Sequence, residues 1–235
     1  MLGSYLTART LLRLAATTGL RRHEPLVMSS LIAGATIWAT HFIAMLAYDP
    51  GVEHGYEPVL AGVSLCIAVL GAFGTNALFA YGPKRSAFVL VGVGFGISVS
   101  VMHYVEMMVY QLPGEIIWRP GALIASVLFG IALGIACYHR LAFPVTRYCW
   151  LGGTILMVLA ICAMHFTAMS EFEIQLSSLH LVPDQVLFDG ILAILLLSVV
   201  SLITVVGFSA LSIEINLEVV RFHRSKSSPW QRNQV

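Results

Sequence analysis

The chain has 235 residues, 58% of them hydrophobic and only 11% charged, with a mean hydropathy of +0.85. Soluble domains carry roughly a quarter charged residues, so this composition describes a protein embedded in a lipid bilayer. A net charge of +1 excludes a strongly basic nucleic-acid surface, and no nucleic-acid partner is expected.

Residues 2–20 form the first and weakest helix candidate, interrupted by Arg9 and Arg13. Gly3-Ser4-Tyr5 can be matched to Gly71-Ala72-Phe73, midway down the helix that starts near Val59. On that match the chain opens inside a spanning helix whose first half is missing; a cytoplasmic amphipathic helix is the alternative. A spanning helix needs about 20 apolar residues. Six stretches supply them, at 26–47, 58–81, 87–111, 121–140, 149–170 and 187–213. The breaks between them are short and carry turn signals, such as Asp49-Pro50-Gly51, Gly82-Pro83-Lys84-Arg85, Leu112-Pro113-Gly114 and Phe143-Pro144. The expected fold class is an all-α membrane protein, a polytopic bundle of about seven transmembrane helices over residues 1–213. Residues 214–235 would form a polar cytoplasmic tail.

Orientation follows from Lys and Arg. With the Arg-rich end of the first segment inside and strict alternation thereafter, the inner segments hold 12 of the 13 cations, and Arg119 alone falls outside. Asp49, Glu53, Glu57, Glu115, Glu171, Glu173, Asp184 and Asp189 fall outside as well. A multi-pass protein of a bacterial inner membrane, C-terminus in the cytoplasm, is the expected arrangement. Four cysteines occur (Cys66, Cys137, Cys149 and Cys162), without a CxxC pair, so no disulfide framework is expected. They pack, or one of them serves as a soft ligand.

Internal repetition is the sequence's main feature. Three outward-going helices end in Thr40-His41-Phe42-Ile43-Ala44-Met45, Met102-His103-Tyr104-Val105-Glu106-Met107 and Met164-His165-Phe166-Thr167-Ala168-Met169, with 62 residues between successive histidines. Each motif is followed by an acidic outer loop and a returning helix, so the chain reads as a triplicated helix pair. Positions i and i+4 of a helix share a face, which pairs His41 with Met45, His103 with Met107 and His165 with Met169. Imidazole nitrogen with thioether sulfur is a borderline-to-soft donor set, suited to copper, Cu(I) in particular. Met102 and Met164 point about 100° away. They serve a neighbouring site, line an approach path, or pack. A structural role for the motif is the alternative, since Met fills gaps and a histidine near a helix end forms interfacial hydrogen bonds. Three matched pairs at one depth weigh against it, because ionisable groups inside membranes are costly and usually functional.

These hexapeptides resemble the motifs of the MHYT-domain family, bacterial membrane sensors named for a Met-His-Tyr-Thr tetrapeptide. The resemblance covers nearly the whole chain. It implies a copper site built from His41, His103, His165, Met45, Met102, Met107, Met164 and Met169. It also implies a role in sensing oxygen, carbon monoxide or nitric oxide at the outer face. Three departures stand out: Thr40 replaces the first Met, Glu106 occupies a position where a small residue is usual, and no tetrapeptide is complete. Glu106 either hydrogen-bonds a motif histidine or reaches the outer interface.

Family members commonly carry cytoplasmic output domains, so signalling here is expected to pass to a separate cytoplasmic protein unless the chain is a fragment. Copper delivery or transport, and b-type haem binding, are the competing functions. A transport ladder would need soft ligands through the bilayer; Cys66, Met157 and Cys162 lie off the motif edge, whereas the repeated His–Met sets sit at one edge, which argues against transport. No Ser–His–Asp constellation suggests an enzyme. Asn76, mid-membrane, is read as interhelical glue, Cys162 as a packing residue, and His54 and His180 as solvated loop histidines.

Overall fold

The structure, a computed structural model, describes residues 1–82, 87–143, 148–176 and 186–227. His180, Lys84, Arg85, Arg147 and Arg232 lie outside them.

Seven α-helices account for most of these residues: α1 Leu2–Ala16, α2 His23–Leu46, α3 Pro58–Tyr81, α4 Ala87–Val109, α5 Pro120–Ala142, α6 Cys149–Met169 and α7 Asp189–Ser227. Six of them are long and apolar enough to cross a membrane; in α7 the apolar portion is Asp189–Ser209. Their outward faces carry Leu70, Leu90, Leu128, Phe166 and Leu197, as expected where lipid rather than water is the solvent. The helix ends follow local chemistry. Pro58 and Pro120 begin α3 and α5, where a missing N–H costs nothing. The Glu57 carboxylate caps α3, accepting from the N–H groups of Val59 at 3.0 Å and Leu60 at 2.5 Å. At the other end of α3, the Arg22 guanidinium donates to the Ala80 carbonyl at 3.0 Å.

Helices α1 to α6 pack as a ring in chain order, closed by α1 against α6. The motif helices α2, α4 and α6 alternate in it with α1, α3 and α5, and touch one another lightly and to similar extents. The ring is thus a pseudo-threefold assembly of helix pairs, with α1 as a true member: Leu6, Ala8, Leu11 and Leu14 are fully buried, and Arg13 meets Glu24 of α2 at 3.1 Å. The last helix, α7, lies instead outside the ring against α2 and α1. The repeat is visible at atomic detail. A Cβ on Gly34 would meet the backbone of Val69 at 2.5 Å, and one on Gly96 the backbone of Ile131 at 2.5 Å. The two pairs are displaced by the same 62 residues that separate His41 from His103.

Short strands join the loops at the motif end. Antiparallel β1 (Gly55–Tyr56) pairs with β2 (Tyr110–Gln111), and β3 (Gly114–Trp118) with β4 (Phe172–Leu176). Tyr56 also bridges to Leu187, so the loops after α2, α4 and α6 hold one another through backbone hydrogen bonds. Arg119 and Glu173 form an ion pair beside the β3–β4 ribbon.

Candidate metal centre

The three motif histidines meet inside the ring. His41, His103 and His165 are 2%, 0% and 6% exposed. Their ring centroids stand 4.9, 5.0 and 5.2 Å apart, an almost equilateral triangle, with interplanar angles of 74, 87 and 90°. The Nδ1 atoms turn toward one another: His103 to His41 at 3.0 Å, and His165 to His103 at 3.4 Å. Metal–nitrogen bonds of about 2.0–2.1 Å in tetrahedral geometry place donor nitrogens about 3.3 Å apart. Two of the donor pairs lie close to that value, and all three donor atoms lie within 4.8 Å of one another.

Glu106, fully buried on α4, lies beside the triangle. Its Oε2 is 3.3 Å from Nε2 of His41, and its Oε1 accepts from the Ser64 hydroxyl of α3 at 3.2 Å. The Oε2–Nε2 approach is longer than a formed charge-assisted bond of about 2.7–2.9 Å. Neither atom has a hydrogen-bond partner among the described residues, and neither has Nε2 of His103. Ser64 in turn accepts from the indole N–H of Trp38 at 3.0 Å. Of its two expected fates, then, Glu106 faces inward rather than reaching the interface.

The thioethers are buried close by in the chain. Met45, Met102, Met107 and Met164 are 1–2% exposed, and Met169 is half-buried. Cys162 stands outside the cluster, since among the described residues the only group of His, Cys, Asp or Glu donors with metal spacing is the histidine triad. Asn76 bonds across helices: its amide donates to Ser29 and Ser30 of α2 at 3.2 and 3.4 Å and accepts from the Tyr138 hydroxyl of α5 at 3.0 Å.

Aromatic rings cover the motif end. Trp118 of β3 packs at 5.2 Å on Tyr104 and 5.7 Å on Phe172, and Phe172 at 5.8 Å on Tyr48. On the other side Phe42, Tyr56, Tyr110 and His54 stack in succession at 5.2–5.8 Å. His54, expected to be solvated, is instead half-buried, with Nε2 at 3.4 Å from Asp189. Burial drives the Tyr56 and Tyr110 phenols well above the ordinary tyrosine range, and Asp189 adds to it. The strand-borne part of this cover was missed in the sequence, because pairings of two to five residues leave no periodic signal.

Comparison with known proteins agrees with the repeat. The family described as "MHYT: Bacterial signalling protein N terminal repeat" matches residues 34–93 and 96–148. An "uncharacterized signaling protein" of Caulobacter vibrioides is 32% identical over 214 residues, covering 90% of this chain and 26% of that protein. The cyclic di-GMP phosphodiesterase NbdA of Pseudomonas aeruginosa is 33% identical over 150 residues, 58% of this chain and 18% of its own length. From the same organism, the bifunctional diguanylate cyclase/cyclic di-GMP phosphodiesterase MucR is 27% identical over 203 residues, 84% of this chain and 30% of its own. The chain thus spans less than a third of the length of these relatives. No solved structure matches. A repeated membrane bundle with a histidine at the end of each motif helix, and signalling proteins as its relatives, makes this chain a member of the MHYT family.

Proposed function

We propose that the chain is a sensing module that holds a copper ion between His41, His103 and His165, with the motif end outside a bacterial inner membrane. The convergence of three buried histidines, whose donor nitrogens all lie within 4.8 Å of one another, carries this reading. The methionines of the motif supply the soft character that favours copper, with Met45, Met107 and Met169 on the histidine faces and Met102 and Met164 flanking them. When bound, the ion would offer an open position for a diatomic ligand such as oxygen, carbon monoxide or nitric oxide, or would report redox state.

The protein's own part is to hold, shield and transmit. The triad fixes three nitrogens from three separate helices around one point. The aromatic cover keeps water from the centre. Because α2, α4 and α6 touch one another only lightly and each contributes one histidine to the triad, a change in the geometry of the centre would be felt as helix displacement. Relatives named for cyclic di-GMP enzymes point to control of cyclic di-GMP turnover at the inner face, through an output region or a separate cytoplasmic signalling protein.

The test is metal analysis of protein purified from copper-replete cells. Wild type should retain close to one copper per chain, and the His41→Ala/His103→Ala/His165→Ala variant almost none. Wild-type protein without copper would reject the reading.

A further inference from the structure

The ring has a second point of convergence, at the end opposite the motifs. Helices α1, α3 and α5 all finish there, and a cavity of about 420 Å³ opens between them and the first turn of α4. Ala15 of α1, Phe79 of α3, Phe88 of α4 and Leu141 of α5 contribute to its wall. Because α1 and α4 stand across the ring from each other, a space that touches both lies within it. The cavity also follows the repeat. Stepping by 62 residues carries Phe79 and Ala80 onto Leu141 and Ala142, and all four line it. The histidine triad lies at one end of the ring and this cavity at the other.

The side chains of the wall are aliphatic and aromatic apart from one charge. Arg22, half-buried in the short turn before α2, donates to the carbonyls of Thr17 and Ala80 and lies 5.6 Å over the Tyr81 ring. Those bonds use two of the five N–H donors of a guanidinium and fix where the charge stands. The others have no partner among the described residues. Among the described residues no carboxylate lines the cavity, and Arg21, exposed in the same turn, adds a second cation beside it. Tyr81, 55% exposed at the end of α3, is the kind of ring that sits at headgroup level. Small-molecule sites are commonly apolar pockets of about 300–1,000 Å³ with a few placed polar groups. Basic pockets between spanning helices take anionic lipid headgroups.

We propose that this cavity binds one anionic phospholipid, its phosphate on Arg22 and part of an acyl chain against Ala15, Phe79 and Leu141. An amphiphile matches both halves of the site. The phosphate meets a guanidinium already held in place, and the chain covers apolar wall that would otherwise face water. A zwitterionic lipid offers the same chain but brings an ammonium to a cationic turn, with no carboxylate in the cavity to receive it. A soluble phosphate would satisfy Arg22 and leave the wall bare. The bound lipid touches α1, α3, α4 and α5 together, at the end of the ring away from the histidines. The inference is independent of the metal reading.

The test is native mass spectrometry of the full chain, titrated in detergent with phosphatidylglycerol or with phosphatidylcholine of the same acyl chains. Wild type should retain one phosphatidylglycerol per chain, with an affinity roughly fivefold or more above that for phosphatidylcholine. Arg22→Gln should bring the two lipids within about twofold of each other. Because Arg22 also ties α1 to α3, a second variant leaves it in place. Ala15→Leu/Ala142→Leu narrows the cavity and should weaken phosphatidylglycerol binding severalfold while keeping the charge. Equal retention of the two lipids by wild type would overturn the proposal, as would selectivity that survives Arg22→Gln. So would undiminished binding in the narrowed cavity, or displacement of the lipid by glycerol phosphate at equal concentration, which would assign the site to phosphate alone. Copper content does not enter these outcomes, so the lipid site and the metal centre fail separately.

Discussion

At the scale of single residues, the donor set can be dissected by substitutions that leave packing nearly intact. Leu for Met is close to volume-conserving and costs less than about 1.5 kcal/mol, so replacing Met45, Met107 and Met169 together should still give a folded bundle. If the thioethers complete the site, that variant should lose Cu(I) under reducing conditions while holding Zn(II) as wild type does; equal Cu(I) retention would confine the site to nitrogen. The outer tyrosines offer a separate test. Burial raises both phenols above their ordinary value of about 10. An unfolded chain releases those protons first as pH rises, so the stability the phenols contribute is complete below pH ~10 and declines above it. The thermal midpoint in detergent should therefore fall between about pH 9.5 and 11, and fall less in Tyr56→Phe/Tyr110→Phe. An identical fall in the double variant would remove these phenols from the account.

At the scale of elements, the glycines decide how close the helices come. Gly34 and Gly96 stand against the backbones of α3 and α5, where even a methyl would meet atoms at 2.5 Å. Gly62 and Gly74 face open space on α3. Gly34→Ala and Gly96→Ala should each destabilise the bundle by about 1–3 kcal/mol through overpacking, and Gly62→Ala should be neutral or better. Thermal unfolding in detergent separates them; equal midpoints would mean that α2–α3 and α4–α5 are not held as close as the structure shows. The same elements explain what could be read in advance. Helices α2 to α6 were visible within a few residues, because spanning segments must be long, apolar and internally hydrogen-bonded. The common depth of His41, His103 and His165 was visible from their equal spacing. What the spacing could not carry was who neighbours whom. α7 follows the third motif as a returning helix, yet it packs on α1 and α2 while α1 fills the ring, and nothing local in the sequence signals that choice of neighbours. Glu106 was undecided for the same reason: its partners, His41 and Ser64, come from α2 and α3, and no local pattern announces a contact 42 or more residues away.

At the scale of the whole molecule, charge and site are sorted to opposite ends. The described cations at the end opposite the motifs include Arg13, Arg21, Arg22 and Arg140, whereas the motif end has Arg119, already paired with Glu173, among Asp49, Glu53 and Glu57. Cytoplasmic loops keep Lys and Arg because these resist translocation, while acids weigh little. The histidine centre should accordingly lie just beneath the outer lipid boundary, under the loops that β1–β4 tie together, with the inner end left to signal. Cysteine labelling decides this in intact cells. On a background with Cys66 replaced by Ala, Glu53→Cys, exposed in the loop after α2, should react with a membrane-impermeant maleimide added from outside. Arg21→Cys, exposed in the short turn that precedes α2, should react only after the membrane is opened. The reverse pattern would turn the molecule over, placing the metal centre at the cytoplasmic face. A copper reading would then have to be reconciled with a compartment that keeps thiols reduced.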